Sequence, residues 1–201
     1  FALFKEKLMA VFFIFSMFLG VSLQITNAFA NSYLTNHFGA ISEYAGTFGV
    51  EHANILISLS QLSETLCILL IPFFLKRYGI KNVMLISMLA WVLRFALLGL
   101  GNPGGGVWML ILSMIVYGVA FDFFNISGSL YVEKETTPEI RASAQGVFMM
   151  MTNGFGATLG SYAAGKVVDL YGWPQSWYIF AGYAFVVAIA FMIFFKQPTS
   201  P

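Results

Sequence analysis

Long apolar runs, separated by short polar segments, dominate this sequence. An α-helix of about 20 apolar residues crosses the hydrocarbon core of a bilayer, which is about 30 Å thick. Of the 201 residues, 59% are hydrophobic and only 9% are charged, whereas about 25% of the residues in soluble domains are charged. Because so few charges cannot cover a protein surface in water, lipid must be the solvent. The sequence therefore predicts an all-α membrane protein.

Breaks between the apolar runs define the expected membrane-spanning helices. A short basic loop at 76–81, a glycine-rich turn at 101–106 and a charged loop at 133–141 each separate two runs. The pattern predicts that residues 1–201 form one bundle of six transmembrane helices. The predicted spans are residues 8–33, 56–74, 83–101, 107–132, 142–168 and 177–195.

The basic residues indicate how this bundle is oriented. Eight of the ten lysine and arginine residues lie at one set of helix ends, while Lys166 lies near the opposite set and Arg94 lies inside a span. Because basic residues favour the cytoplasmic side of a membrane, both termini are expected in the cytoplasm. An even number of spans agrees with this orientation. The eight residues are Lys5, Lys7, Lys76, Arg77, Lys81, Lys134, Arg141 and Lys196.

The first span allows a second interpretation, a secretory signal. Lys5 and Lys7 precede an apolar stretch that ends in Ala28-Phe29-Ala30, which has the A-x-A pattern of a cleavage site. The apolar core is long for a signal, however, and Gln24 and Asn27 interrupt its end. The chain also begins with Phe rather than Met, so we expect it to be the interior of a larger protein.

Two carboxylates, Glu64 and Asp122, stand inside predicted spans. An acid at membrane depth costs several kcal/mol unless it is neutralised, paired or facing a water-filled cavity, and it marks a functional site by default. A chain that keeps two such acids is expected to move a solute across a bilayer. The structural alternatives stay open: Glu64 can pair with Arg94, and Asp122 can pair with a basic group or cap a broken helix.

Further polar and aromatic residues share helical faces with these acids. Residues three, four or seven positions apart lie on one side of a helix. At a rise of about 1.5 Å per residue, three such stripes reach similar depths and can line one cavity, although buried amides also serve as contacts between helices. The stripes are Gln24, Asn27 and Asn31 in the first span, Ser58, Gln61, Glu64 and Thr65 in the second, and Asp122, Asn125 and Ser129 in the fourth. Tyr117 and Phe121, one turn apart on the fourth span, lie beside this last stripe.

Other sequence features are structural or exclude kinds of site. Gly156 and Gly160 form a Gly-xxx-Gly pattern, which predicts close helix packing and, in a transporter, a smooth face along which helices can slide. Cys67 is the only cysteine, so an internal disulfide is excluded. His37 and His52 have no partners at ligand spacing, so no metal or cofactor is expected. A net charge of +1 without a basic patch predicts no nucleic-acid partner.

Six motifs together indicate a family: Leu23-Gln-Ile-Thr-Asn27, Ser60-Gln-Leu-Ser-Glu-Thr65, Arg77-Tyr-Gly-Ile-Lys-Asn-Val83, Trp91-Val-Leu-Arg-Phe-Ala96, Phe121-Asp-Phe-Phe-Asn-Ile-Ser-Gly128 and Arg141-Ala-Ser-Ala-Gln-Gly146. With polar residues at these spacings, the chain resembles the C-terminal six-helix half of the nucleoside:H⁺ symporters, bacterial nucleoside permeases of the major facilitator superfamily. The resemblance covers nearly all of the chain.

The resemblance implies a transporter rather than an enzyme. It implies proton-coupled nucleoside uptake across the bacterial cytoplasmic (inner) membrane by alternating access, with this chain supplying one half. The missing N-terminal six-helix half would supply a basic residue and further contacts. By matching motif, the implied substrate-binding residues are Gln24, Asn27, Gln61, Glu64, Tyr117 and Phe121, and Asp122 would serve proton coupling or the conformational change.

The chemistry of these side chains suits a nucleoside. Aromatic rings offer stacking faces to a base, amides offer paired donors and acceptors to base edges, and a carboxylate accepts hydrogen bonds from ribose hydroxyls. A buried carboxyl group can also load and release a proton. We expect Glu64 to accept from the substrate and Asp122 to be the proton-linked switch, with the reverse assignment left open.

Three other functions compete with this one. A proton-coupled sugar or polyol symporter of the same superfamily is the closest, because amides and Glu64 suit hydroxyl groups equally well. An intramembrane aspartyl hydrolase needs two acids in one site, and Glu64 and Asp122 could meet. A structural subunit would use the polar residues only to hold helices together. Activity assays separate these classes.

Overall fold

The computed structural model describes residues 7–196, which form helices and short connections without a β-strand. The all-α fold predicted from the sequence is confirmed. Lys5, used above to orient the bundle, lies outside the described residues. The helices are α1 (Lys7–Ser32), continued by a π-helix (Tyr33–His37) and a 3-10 helix (Phe38–Ala40), then α2 (Phe48–Glu51), α3 (Ala53–Leu100), α4 (Val107–Glu135), α5 (Pro138–Met149), a second π-helix (Met150–Gly156), α6 (Ala157–Tyr171) and α7 (Gln175–Phe194).

Within residues 7–196, four helical stretches are long and apolar enough, by length and composition, to cross a membrane. Three of them overlap the predicted spans 8–33, 107–132 and 177–195. The fourth is the 48-residue α3, which coincides with the two predicted spans 56–74 and 83–101. The four stretches are Lys7–Ala40, Ala53–Leu100, Val107–Glu135 and Gln175–Phe194.

Helix α3 is in fact two helices that meet at Gly79. This residue has φ 75° and ψ 167°, a conformation that is essentially restricted to glycine. Before the break, α3 contacts successive residues of α4 in ascending order, whereas after the break it contacts them in descending order. The chain therefore reverses direction at Gly79, and both halves of α3 pack along α4. The contacts are Ser60–Met114 and Phe74–Phe123 before the break, and Ser87–Ala120 and Arg94–Ser113 after it.

Three consecutive helical segments, α5, the second π-helix and α6, cover the predicted span 142–168. They pack against α1 through glycines. A Cβ added at Gly160 would lie 2.8 Å from the carbonyl oxygen of Val21, and one at Gly156 would lie 2.9 Å from the Cα of Gly20. The Gly-xxx-Gly pattern is therefore a close approach of two backbones, as the sequence predicted.

Aromatic side chains fill both ends of the bundle. Where α1 begins, the Phe12 ring packs against Tyr131 and Phe148, with centroids 4.8 and 5.3 Å apart. At the other end, Tyr33 packs against Trp173, with centroids 4.9 Å apart. Most of the basic residues lie at the first end, where α1 and α5 begin, α4 and α7 end, and α3 reverses at Gly79. The polar residues of the predicted site, among them Asn27, Gln61 and Glu64, lie between the two ends.

Candidate functional site

A polar cavity of about 350 Å³ lies between α1, α3 and α4. Both halves of α3 contribute to it, because the reversal at Gly79 returns the chain along α4. Among the predicted site residues, the cavity is lined by Asn27, Gln61, Glu64 and Tyr117. The other lining residues are Thr26, Ala30, Asn31, Asn54, Ile57, Ser60 and Arg94.

Helix α1 and the first half of α3 supply the amides and the acid. Gln61 and Glu64 are three residues apart, so they share one face of α3. The Gln61 side chain is exposed and that of Glu64 is half-buried. At the edge of the cavity, the Nδ2 of Asn31 donates a hydrogen bond to the Oδ1 of Asn54 at 2.9 Å, which joins α1 to α3. This wall offers donors, acceptors and one carboxylate to a solute.

Arg94 reaches the same cavity from the second half of α3. Its side chain is only 2% exposed. Among residues 7–196, no carboxylate oxygen lies within 4.0 Å of its nitrogens, so the direct Glu64–Arg94 ion pair considered from the sequence is not formed here. The guanidinium group instead donates to the carbonyl oxygen of Ser113, and its Cζ lies 4.6 Å from the ring centroid of Tyr117.

Tyr117 and Phe121 lie one turn apart on α4, and their rings stack with centroids 5.8 Å apart and planes 8° apart. Tyr117 lines the main cavity, whereas Phe121 lines a smaller cleft between α1, α4, Trp91 and the second π-helix. The Trp91 ring meets Tyr117 edge-on, at 5.9 Å between centroids. The aromatic stack therefore connects the cavity to the cleft.

Asp122 does not line the cavity. It follows Phe121 directly, and one residue turns an α-helix by about 100°, so its side chain leaves α4 in a different direction from that of Phe121. The side chain is 5% exposed, and its Oδ2 has no hydrogen-bond partner. Both Glu64 and Cys67 lie within electrostatic range of it. Asp122 is thus close to the cavity acid without sharing the cavity.

Gln24 also lies outside the cavity lining. It is half-buried, and its Cβ lies on the side of α1 that packs against α6, 3.2 Å from the point where a Cβ on Gly160 would stand. This position agrees with the interpretation of buried amides as contacts between helices. The first-span stripe therefore divides: Asn27 and Asn31 line the cavity, and Gln24 packs beside it.

Sequence reasoning misses part of the cavity. Asn54 precedes the predicted second span, and Thr26 and Ser60 carry short hydroxyl groups that are ordinary in helices. Arg94 was considered only as an ion-pair partner of Glu64, although a basic residue inside a span is subject to the same rule that singled out the two acids. No group of three or more His, Cys, Asp or Glu side chains within residues 7–196 is placed to hold a metal ion.

Comparison with known proteins gives a family match and two relatives that are similar over nearly the whole chain. A family profile described as "Nucleoside H+ symporter" matches residues 1–200. The chain is 61% identical over 203 residues to nucleoside permease NupG of Escherichia coli (strain K12), covering 98% of this chain and 48% of that protein. It is 52% identical over 208 residues to xanthosine permease of the same organism, covering 100% of this chain and 50% of that protein.

The fold has a solved counterpart. A crystal structure of nucleoside transporter NupG superposes with a TM-score of 0.92 at 60% sequence identity, covering 98% of this chain and 50% of that one. The chain thus spans about half the length of the curated relatives it matches.

Proposed function

The chain belongs to the nucleoside H⁺ symporter family, whose members here are permeases rather than enzymes, and from this premise we propose that it forms one half of a proton-coupled nucleoside transporter. It is a multi-pass membrane protein, and its fold is that of half of a major facilitator superfamily transporter. The observation that carries the proposal is the cavity between α1, α3 and α4, in which amides, a carboxylate and an aromatic ring converge.

The chain would be the C-terminal half, and residues 1–201 would form one bundle of six spans joined by short loops. The other partner would be an N-terminal six-helix half. The chain matches about half of the length of each relative named above, which supports this proposal. So does the exposure of Asn27, Asn54 and Gln61, all of which line the cavity. Polar groups left facing hydrocarbon cost several kcal/mol each, and a second half would cover them.

Each candidate residue takes a role from its position. Asn27 and Gln61 would hydrogen-bond the base, Glu64 would accept from ribose hydroxyls, and Tyr117 would pack against the bound nucleoside. Phe121 would hold Tyr117 through the ring stack. Gln24 would act from beside the cavity, after a shift of α1 against α6 or through a solute that reaches beyond the present cavity.

Proton coupling would rest on Asp122. Its orphaned Oδ2 lies outside the cavity but within electrostatic range of Glu64. A change in the protonation of Asp122 would therefore change the electrostatic potential at Glu64 without displacing the solute. Alternating access would rock this half against the other around a fixed site.

The transporter would lie in the bacterial cytoplasmic (inner) membrane, with both termini in the cytoplasm. The grouping of basic residues at one end of the bundle supports this orientation. Uptake would then bring nucleoside and protons inward together.

The deciding experiment is uptake of radiolabelled uridine and adenosine by the full-length protein, expressed in cells that lack their own nucleoside carriers, at acidic external pH. We expect saturable uptake that collapses when a protonophore is added. Membrane-inserted protein that takes up neither nucleoside would overturn the proposal. Uptake of a labelled sugar by the same cells would then establish the polyol alternative, since amides and a carboxylate bind hydroxyl groups equally well.

A further inference from the structure

Arg94 is a buried cation without a carboxylate partner. It is 2% exposed, and among the described residues the carboxylates all lie beyond ion-pair distance from it. A cation in these surroundings is costly unless hydrogen bonds and other contacts compensate for lost water. Such a residue is expected to have a function, and none of the roles proposed above uses it.

The guanidinium group joins the three helices that form the cavity. From the second half of α3, its Nε lies 3.4 Å from the Oγ1 of Thr26 on α1. One terminal nitrogen, Nη1, donates to the carbonyl oxygen of Ser113, and the other, Nη2, lies 3.8 Å from the sulfur of Met114; both partners are on α4. Lysine has one nitrogen and no planar fork, so it cannot make this set of contacts.

The same group lies over an aromatic ring that lines the cavity. Its Cζ is 4.6 Å from the centroid of Tyr117, a distance typical of a cation–π contact. Trp91, one turn before Arg94 on α3, meets the same ring edge-on, and Phe121 stacks with it. Tyr117 is thus held by a cation and two rings, and only the cation can be removed without disturbing the aromatic packing.

We propose that Arg94 is a positioning residue for solute binding, which acts by fixing the Tyr117 ring in the orientation that the bound nucleoside meets. This inference rests on the proposed function, since it concerns the same cavity. Arg94 itself, being almost fully covered, makes little direct contact with the solute.

The test is a double-mutant cycle on uridine affinity in purified full-length protein, measured by titration calorimetry. Arg94→Gln removes the charge and the fork, and we expect the Kd to rise about 10-fold, as the loss of one well-placed cation–π contact and its hydrogen bonds implies. Arg94→Lys keeps the charge alone and should recover part of the affinity. In a Tyr117→Leu background, Arg94→Gln should change the Kd less than 2-fold.

Leu98→Ala is the matched control. Leu98 lies one turn after Arg94 on α3 and is equally buried, but it lines neither the cavity nor the cleft beside it. It should lower the thermal midpoint and leave the Kd unchanged.

Two results would count against the inference in different ways. An unchanged Kd in Arg94→Gln, or an equal loss with and without Tyr117, would overturn the positioning role while leaving nucleoside binding in place. A wild-type protein that binds neither uridine nor adenosine would overturn the proposed function and this inference with it.

Discussion

At the scale of single residues, the two intramembrane acids occupy different surroundings. Glu64 lines the cavity together with amides and a tyrosine. Asp122 is more deeply covered, at 5% exposure, with one oxygen unpartnered. An acid that faces the cavity can bind a solute directly, whereas one beside it can act only through its charge. Neutralising Glu64 should therefore weaken solute binding, whereas neutralising Asp122 should impair proton coupling.

Neutralising each acid in turn tests this division. Glu64→Gln replaces an acceptor by a group that also donates, and we expect the uridine Kd to rise about 10-fold or more, because hydrogen bonds to charged groups contribute about 1.5–3 kcal/mol. Asp122→Asn should keep the Kd within about 3-fold of wild type but abolish proton-driven accumulation. Binding, proton-driven uptake and uridine exchange measured on both variants separate the two roles.

Exchange of internal for external uridine is the internal control, since it needs binding and alternation but no net proton flux. Asp122→Asn protein that neither binds nor exchanges uridine would contradict the assignment of Asp122 to proton coupling.

How far the sequence predicts the site is also decided residue by residue. Periodicity places Gln61 and Glu64 on one helical face, and these residues and Asn27 all line the cavity, because a 3.6-residue repeat fixes which residues share a side. It does not fix how each helix is rotated against its neighbours. Rotation is set by packing, and the fit of α1 against Gly156 and Gly160 leaves Gln24 on the α6 side.

At the scale of helices, the contact between α1 and α6 depends on the absence of side chains. A Cβ at Gly160 would meet the backbone of Val21 at 2.8 Å, and backbone cannot rotate away as a flexible side chain can. We expect Gly160→Ala to destabilise the protein by about 1–3 kcal/mol, the usual cost of overpacking. The thermal midpoint of purified protein would report the change.

Gly165→Ala on the same helix is the control, because a Cβ there would meet no atom within 4 Å. Alanine is favoured over glycine in helices by up to about 1 kcal/mol, so this variant should be as stable as wild type or slightly more stable. Equal destabilisation by both substitutions would show that the close approach is not the cause.

The break in α3 depends on backbone conformation rather than on space. Gly79 has φ 75°, and a Cβ there would meet nothing within 4 Å. Gly79→Ala should therefore cost about 1–3 kcal/mol from strain alone. Gly146→Ala, equally unobstructed and without positive φ, should not lower the thermal midpoint. A harmless Gly79→Ala variant would show that the reversal tolerates another backbone geometry.

Helix boundaries show the same limit of sequence reasoning. Apolar length predicts where the long helices lie, because a helix that crosses the hydrocarbon core of a bilayer needs about 20 apolar residues. It does not show that α3 continues as helix up to the reversal at Gly79, or that the Met150–Gly156 segment is a π-helix. Both features depend on how neighbouring helices pack, which single-sequence patterns do not record.

At the scale of the whole molecule, the proposed orientation can be read by chemical labelling. Ser42 lies in the exposed connection before α2 and Lys134 lies near the end of α4, also exposed. We expect a membrane-impermeant maleimide to modify Ser42→Cys in intact cells and Lys134→Cys only after permeabilisation. The native Cys67 is 5% exposed and should give little background.

Wild-type protein and a variant without Cys67 provide the baselines for this labelling. If the maleimide modifies Lys134→Cys in intact cells and does not modify Ser42→Cys, the orientation is the opposite of the one proposed. This result would contradict the proposal that both termini lie in the cytoplasm.

The single-residue reversal at Gly79 also bears on biogenesis. Two apolar helices are joined here by one non-helical residue. Without a longer loop between them, we do not expect the first helix to insert into the bilayer independently of the second. The flanking basic residues Lys76, Arg77 and Lys81 resist translocation. Residues 53–100 should therefore enter the membrane as one hairpin, held at its tip on the side where synthesis takes place.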